Sequence, residues 1–369
     1  MVKGLGRAMG QPSWKIESDR VEAFVTEAGA QLGPVTFDLE GRKVQPFHIA
    51  PWHDEKLDPS IPPILKTLRG DFFCLPFGHN ESGYGDEGHP VHGETANASW
   101  TQVEDNVFEL RTLVRPGLVR RTIHLRASET TIYTENAVVG MSGPMCFGNH
   151  AMLAFPSEGL VSTSRFKFGQ VFPGEFENPA EGGYSSLKRG ECFQRLEIVP
   201  MANGSIADLS RYPAREGFED LVMLIGDDTL PFAWNAVVFP KEGYLWFCLR
   251  NPRVLRHTVL GHSNGGRHYA PWSGRHRRVL ALEDVTSYFH YGLAESAGQN
   301  PLASEGITTC IELDPSTPLV ARTIMGVAAV GPEAEHVDMI EACDGGVEIT
   351  LRSGEIVRVA CDLGYLQDQ

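Results

Sequence analysis

Three short stretches carry the residue types that proton chemistry needs. Gly88 to Trp100 reads G-H-P-V-H-G-E-T-A-N-A-S-W and holds His89, His92 and Glu94. Gly148 to Leu153 reads G-N-H-A-M-L and adds His150, and Leu280 to Asp284 reads L-A-L-E-D and adds Glu283. Histidines and a carboxylate, brought to one place near neutral pH, can take a proton from one oxygen of a neutral polar substrate and return one to another. The first stretch has a second reading, since His89-x-x-His92-x-Glu94 offers nitrogen and oxygen ligands to a divalent metal. Residues three apart on a strand face opposite ways, so that convergence needs a turn. Its plainest reading is a histidine hydrogen-bonded inside a Gly-rich turn.

A fourth stretch, Gly261 to His276, gathers His262, Arg267, His268, Arg275 and His276 with the aromatic Tyr269 and Trp272 in an otherwise acidic chain. Aromatic faces and the planar guanidinium fork suit a sugar or an anionic substituent on one. A solvated basic loop is the plain alternative.

The elements that must position these groups are strands. Phe108, Leu110, Thr112 and Val114 alternate with polar residues, as do Val119, Ile123 and Leu125, around a turn at Arg115-Pro116-Gly117. Further strand candidates are Thr131–Val138, Leu221–Ile225, Phe232–Phe239, Tyr244–Leu249, Val279–Leu282, Ile307–Leu313 and Leu319–Val330, after an opening β segment over Trp14–Leu39. Residues 45–67, with five prolines, read as a long loop across one end of a sheet. Glu333–Ala342, after Gly331-Pro332, reads as a helix leading to a hairpin of Val347–Leu351 with Ile356–Cys361. So many short strands separated by turn signals predict an all-β fold, a large antiparallel β-sandwich, with residues 1–330 as one domain and 331–369 packed on it.

Composition removes several classes. Lys and Arg total 32 against 47 Asp and Glu, a formal charge of −15, which repels phosphate backbones and anionic membrane surfaces. Seven scattered cysteines with no C-x-x-C pair read as buried, reduced thiols of a cytoplasmic protein. The N-terminal dozen residues lack an apolar core and no run approaches the ~18 apolar residues of a membrane span, so the N-x-S matches at Asn80, Asn97 and Asn203 count as chance.

The order of these motifs resembles the aldose 1-epimerase (galactose mutarotase) superfamily, and within it the sugar-phosphate epimerase branch most. Arg69-Gly-Asp-Phe-Phe-Cys-Leu-Pro-Phe-Gly78, His89-Pro-Val-His92-Gly and Trp100 are similar to its Pro-Phe-Gly, His-Gly-x-x-Arg and Trp segments, with Ala96 in the Arg place and Asn97 beside it. Gly148-Asn149-His150 resembles the strand of the second family histidine, without the aromatic pair that usually follows. Gly217-Phe218-Glu219-Asp220 resembles the segment of the sugar-binding carboxylate, with Glu219 in the Asp position, and Glu283 resembles the catalytic glutamate. The match runs over residues 69–330.

The resemblance implies a galactose mutarotase-like supersandwich and an enzyme that interconverts the anomers of an aldose without a cofactor or metal. Glu283 is then the base, His150 the acid and His92 a substrate hydrogen-bond partner, with Arg69, Asn97 and Glu219 holding the sugar beside Arg267, Tyr269 and Trp272 of the aromatic-basic loop. Two alternatives stand beside it: a carbohydrate-binding protein without turnover, and a metal-dependent sugar isomerase or lyase built on His89, His92 and Glu94. The partner is a small-molecule carbohydrate, with neither nucleic acid nor membrane, and the chain acts as a monomer or homodimer.

Overall fold

The computed structural model describes residues 4–367; residues 1–3 and 368–369, at the outer ends of the expected 1–330 and 331–369 units, lie outside them. Strands make up about 48% and helices 7%, so the all-β expectation holds. Two antiparallel sheets carry the architecture. In the twelve-stranded sheet the central order is Leu32–Leu39, Asp71–Cys74, Phe147–Ala154, Val279–Thr286, His257–Ser263, Glu219–Gly226 and Phe166–Val171. In the nine-stranded sheet the central order is Ala233–Phe239, Tyr244–Arg250, Leu319–Ala329, Thr131–Val139 and Gly117–Leu125.

The central strands of the first sheet are buried on both faces, which is why they read as near-continuous apolar runs. Alternation still decides which residue goes where. Phe73, Phe147, Leu153, Leu260, Leu280 and Leu282 enter the core between the sheets, with Val237, Trp246 and Met325 opposite. Their neighbours Phe72, Met152, Val259 and Ala281 point the other way and join Trp52 and Trp272 in a second cluster.

Polar residues also enter the space between the sheets, each with at least one hydrogen-bonded or ionic partner. Arg121 bridges to Asp71 at 2.6 Å with neither side chain exposed, and it donates to Asn136, whose amide donates to Asn149. Arg250 bridges to Asp284 at 2.7 Å, and Asn235 and Thr258 donate to the same carboxylate. Buried charges persist only when partnered in this way. Asn149 and Asp284 are register partners on adjacent strands, so the two networks clamp that strand pair from below.

The helix expected at Glu333–Ala342 is corrected: Val337–Cys343 is a strand, the first of a three-stranded sheet with Gly346–Leu351 and Ile356–Ala360. A register shift between Val337 and Met339 lets Val337 and Ile340 both turn inward. A bulge therefore produces the i, i+3 spacing that imitates a helix. This sheet packs Val337, Ile340, Val347 and Ile349 on the outer face of the nine-stranded sheet, against Tyr133, Leu245, Phe247 and Ile324. The α-helical segments lie elsewhere, at Pro63–Thr67 inside the otherwise irregular 45–67 stretch, and at Leu293–Ala297 and Pro301–Ser304. The Ile307–Leu313 strand shrinks to Ile311–Leu313. Cys192 is exposed and Cys310 and Cys343 are half-buried, so the thiols are free but not uniformly buried.

Candidate active site

The outer face of the twelve-stranded sheet forms the floor of a cavity of about 730 Å³. His150 and Glu283 stand side by side on it as register partners of adjacent strands. The imidazole Nε2 lies 3.5 Å from the Glu283 carboxylate. On the far side of His150 its register partner is Phe72, whose ring stacks on the imidazole at 4.7 Å and 19°. On the far side of Glu283, Gly261 leaves the room the carboxylate occupies: a Cβ there would stand 3.2 Å from Glu283 Oε1 and 3.3 Å from Ala281 Cβ.

Burial sets the charge of this pair. Glu283 is 2% exposed; desolvation pushes its carboxyl up to about 8 and Arg267 only partly opposes this. Desolvation holds the His150 imidazolium down at about 3. Near pH 7 burial therefore favours one proton for the pair, on the carboxyl, beside a neutral imidazole. Glu283 Oε2 and His150 Nδ1 are buried with no hydrogen-bond partner, so polar valence remains for a guest.

His92 reaches the same place from a turn. Its backbone is left-handed at φ +58° and Gly93 follows at φ +76°, where a Cβ would lie 1.8 Å from the Leu75 carbonyl oxygen; only glycine fits there. The His92 amide donates to Gly78 at 2.7 Å. The His92 ring meets His150 edge-on at 5.0 Å between centroids, and its Nε2 lies 3.1 Å from Nε2 of His290. Burial first, and then the neighbouring imidazoles, hold His92 neutral, well below the usual histidine range.

Glu219 lies further along the floor. Glu283 faces Val259 while Glu219 faces Ser263, which is four residues along and two strands over, or about 13 Å by about 10 Å. Glu219 accepts the Gly266 amide at 2.8 Å, and burial pushes its carboxyl up to about 7. Arg267 sits above it, 3.7 Å from its carboxylate, and donates to Glu177 at 2.6 Å. The guanidinium also covers the faces of Trp272 and Phe176, 4.6 and 5.3 Å from their centroids. Tyr269 donates to the other Glu177 oxygen at 3.1 Å. The expected rim loop is thus a wall: Arg267, Tyr269, Trp272 and His276 line the cavity.

The structure brings together His92, His150, Glu219, Glu283, Arg267, Tyr269 and Trp272 and sets two expected residues apart. Arg69 has no exposure and spends its guanidinium on the carbonyls of Thr67, Ala8 and Met9. Asn97 accepts the Ile64 amide and donates to the carbonyls of Val91 and Gly93. Neither lines the cavity, and both hold backbone. The His89-His92-Glu94 ligand set is also dispersed: His89 pairs with Glu87 at 2.7 Å, and Glu94 accepts the amides of Leu113 and Val114. Arg275 pairs with Glu55 outside the lining. The lining also holds His290, Glu177 and His276, which the sequence does not single out as site residues. His276 had a signal in the aromatic-basic loop; His290 and Glu177 sit in no motif.

Fold and site together define an all-β sandwich whose sheet face presents a carboxyl–imidazole pair in an aromatic-walled cavity. No protein-family model matches the sequence, and no curated protein matches it. Solved structures do match. A provisionally assigned aldose 1-epimerase from Escherichia coli K12 superposes with a TM-score of 0.57 at 13% identity, over 86% of this chain and 99% of that one. A galactose mutarotase related enzyme from Lactobacillus acidophilus gives 0.54 at 13%, over 86% and 98%. A galactose mutarotase-like protein from Lactobacillus casei ATCC 334 gives 0.53 at 12%, over 86% and 100%. The chain has the galactose mutarotase-like fold.

Proposed function

We propose that this protein is an aldose 1-epimerase-like isomerase, in which Glu283 and His150 open and reclose the ring of a reducing sugar within the 1–330 unit. The observation that carries the reading is the Glu283–His150 contact itself, a carboxyl and an imidazole 3.5 Å apart on a cavity; burial raises the one and depresses the other, which favours a single proton shared between two sites. Anomerisation needs this stoichiometry. One group takes the O1 proton while the other protonates the ring oxygen; the C1–ring oxygen bond breaks and the open aldehyde rotates about C1–C2. Closure onto the opposite face of the carbonyl returns both protons.

Glu283 serves as base and His150 as acid when the shared proton resides on the imidazole. Substrate hydroxyls favour that charge-separated arrangement because they replace the solvation that burial removed, while the Arg267 charge favours the Glu283 carboxylate and opposes the imidazolium. His92 positions a sugar hydroxyl with His290 behind it, and Glu219 and Arg267 receive hydroxyls at the other end of the floor. No cofactor enters these steps. The scattered free thiols fit a cytoplasmic setting.

Exchange NMR between the anomeric protons of freshly dissolved aldoses tests the reading. Enhancement over the buffer rate by the wild type, absent in His150→Gln, is the expected result. Saturation transfer to a bound sugar without enhanced exchange would instead make the protein a carbohydrate binder.

A further inference from the structure

The cavity is larger than one sugar ring requires, and one stretch of its wall is apolar. Its volume of about 730 Å³ falls in the upper part of the ~300–1,000 Å³ range that encloses drug-sized molecules. Beside the His92 turn its wall consists of Pro62, Ile64, Leu65, Leu68 and Val91, with Pro62, Leu65 and Val91 half-buried. Asn97 fixes this wall in place, accepting the Ile64 amide while donating to the Val91 carbonyl. No side chain there can receive a hydroxyl, and a hydroxyl-bearing edge pressed against it would give up its hydrogen bonds to water. Charge restricts the guest further. Among the described residues Arg267 is the only arginine or lysine in the lining, and it is already shared by Glu177 and Glu219.

We propose that the substrate is an uncharged reducing sugar bearing an apolar substituent away from the anomeric carbon. The ring lies at the His150–Glu283 corner and the substituent lies along the wall formed by residues 62–68 and Val91. This rests on the anomerase reading and narrows its substrate class.

The test compares glucose with 6-O-octanoylglucose, which keeps a free anomeric hydroxyl, by exchange NMR across a concentration series. Each fully buried methylene is worth roughly fourfold, so kcat/KM should favour the acylated sugar by about tenfold or more, carried by KM. Leu65→Gln and Val91→Thr should each lower that ratio, and Val91→Thr keeps the side-chain shape should Leu65→Gln fail to fold. Equal or better turnover of glucose overturns the substituent and leaves the anomerase reading standing. Preference for maltose over the acylated sugar also overturns it, because a second ring would then occupy the wall. Exchange enhanced for none of the three removes the anomerase reading and this inference with it.

Discussion

Replacing Glu283 by glutamine should make the protein more stable and less active at once. In the folded chain the carboxyl is raised to about 8 from an ordinary 4.5, so the folded state holds a proton that the unfolded state releases. The associated stability is fully present below about 4.5 and is lost as the pH rises from there to about 8. At pH 7 the loss spans 2.5 pH units, or roughly 3 kcal/mol at about 1.36 kcal/mol per unit. Glutamine does not ionise and escapes that loss. For 369 residues at about 2.1 cal/mol/K each, the unfolding entropy is about 0.8 kcal/mol/K, so Tm should rise by about 4 °C at pH 7. The gain should vanish near pH 4.5. Anomeric exchange should fall by about 10² or more, the usual size of a general-base contribution. Paired thermal melts at several pH values and exchange NMR make the comparison. A melting difference that does not change with pH would refute the burial argument, and unchanged exchange in a folded variant would remove Glu283 from the mechanism.

Because the pair works with one proton, the exchange rate should decline as pH rises through about 8, where that proton is lost, and should show no acid limb near 6.5; a pH-rate series in matched buffers checks both. Gly261→Ala brings a methyl to 3.2 Å from the Glu283 carboxylate, so kcat should drop by about tenfold with Tm little changed, small displacements of a reacting group being costly. Arg267→Ala leaves Glu177 and Glu219 without their shared cation and should raise KM by about tenfold while lowering Tm. Arg275→Ala removes an exposed pair with Glu55, a donation to the Pro271 carbonyl and a contact over the Trp52 ring, none of them with a sugar-facing residue, and should leave KM unchanged with a smaller fall in Tm; steady-state kinetics beside melts separate the two arginines.

Much of the site was legible because its residues sit on strands with strong local patterns. His150 and Glu283 fall within apolar runs whose alternation fixes the face they occupy, and the Gly-rich setting of His92 announced a turn. Arg69 and Asn97 misled because the same segments that build the site must also hold the chain together. An arginine whose guanidinium closes on three backbone carbonyls looks, in sequence, like one awaiting a ligand. His290 meets His92 across 198 residues, and no local pattern encodes a contact of that span. The mistaken helix has a similar cause, since a bulge at Val337–Met339 rephases a strand to helical spacing and bulges leave no compositional trace.

The strongest argument that the outer pair is a reaction centre comes from the inner pair of the same two strands. Asn149 and Asp284 face each other one residue away from His150 and Glu283, in the same backbone and at similar burial. On the inner side the Asp284 carboxylate collects Arg250, Asn235 and Thr258, and Asn149 is bonded to Asn136 and Thr323. On the outer side Glu283 Oε2 and His150 Nδ1 have no partner. Leaving a buried polar atom unbonded costs about 1–3 kcal/mol, and this fold satisfies the equivalent positions one residue away. These two unbonded atoms face the cavity, where, on the proposed reading, sugar hydroxyls supply their bonds. The inner networks tie the strand pair together beneath the cavity, so the fold does not need the outer pair to hold its strands in register.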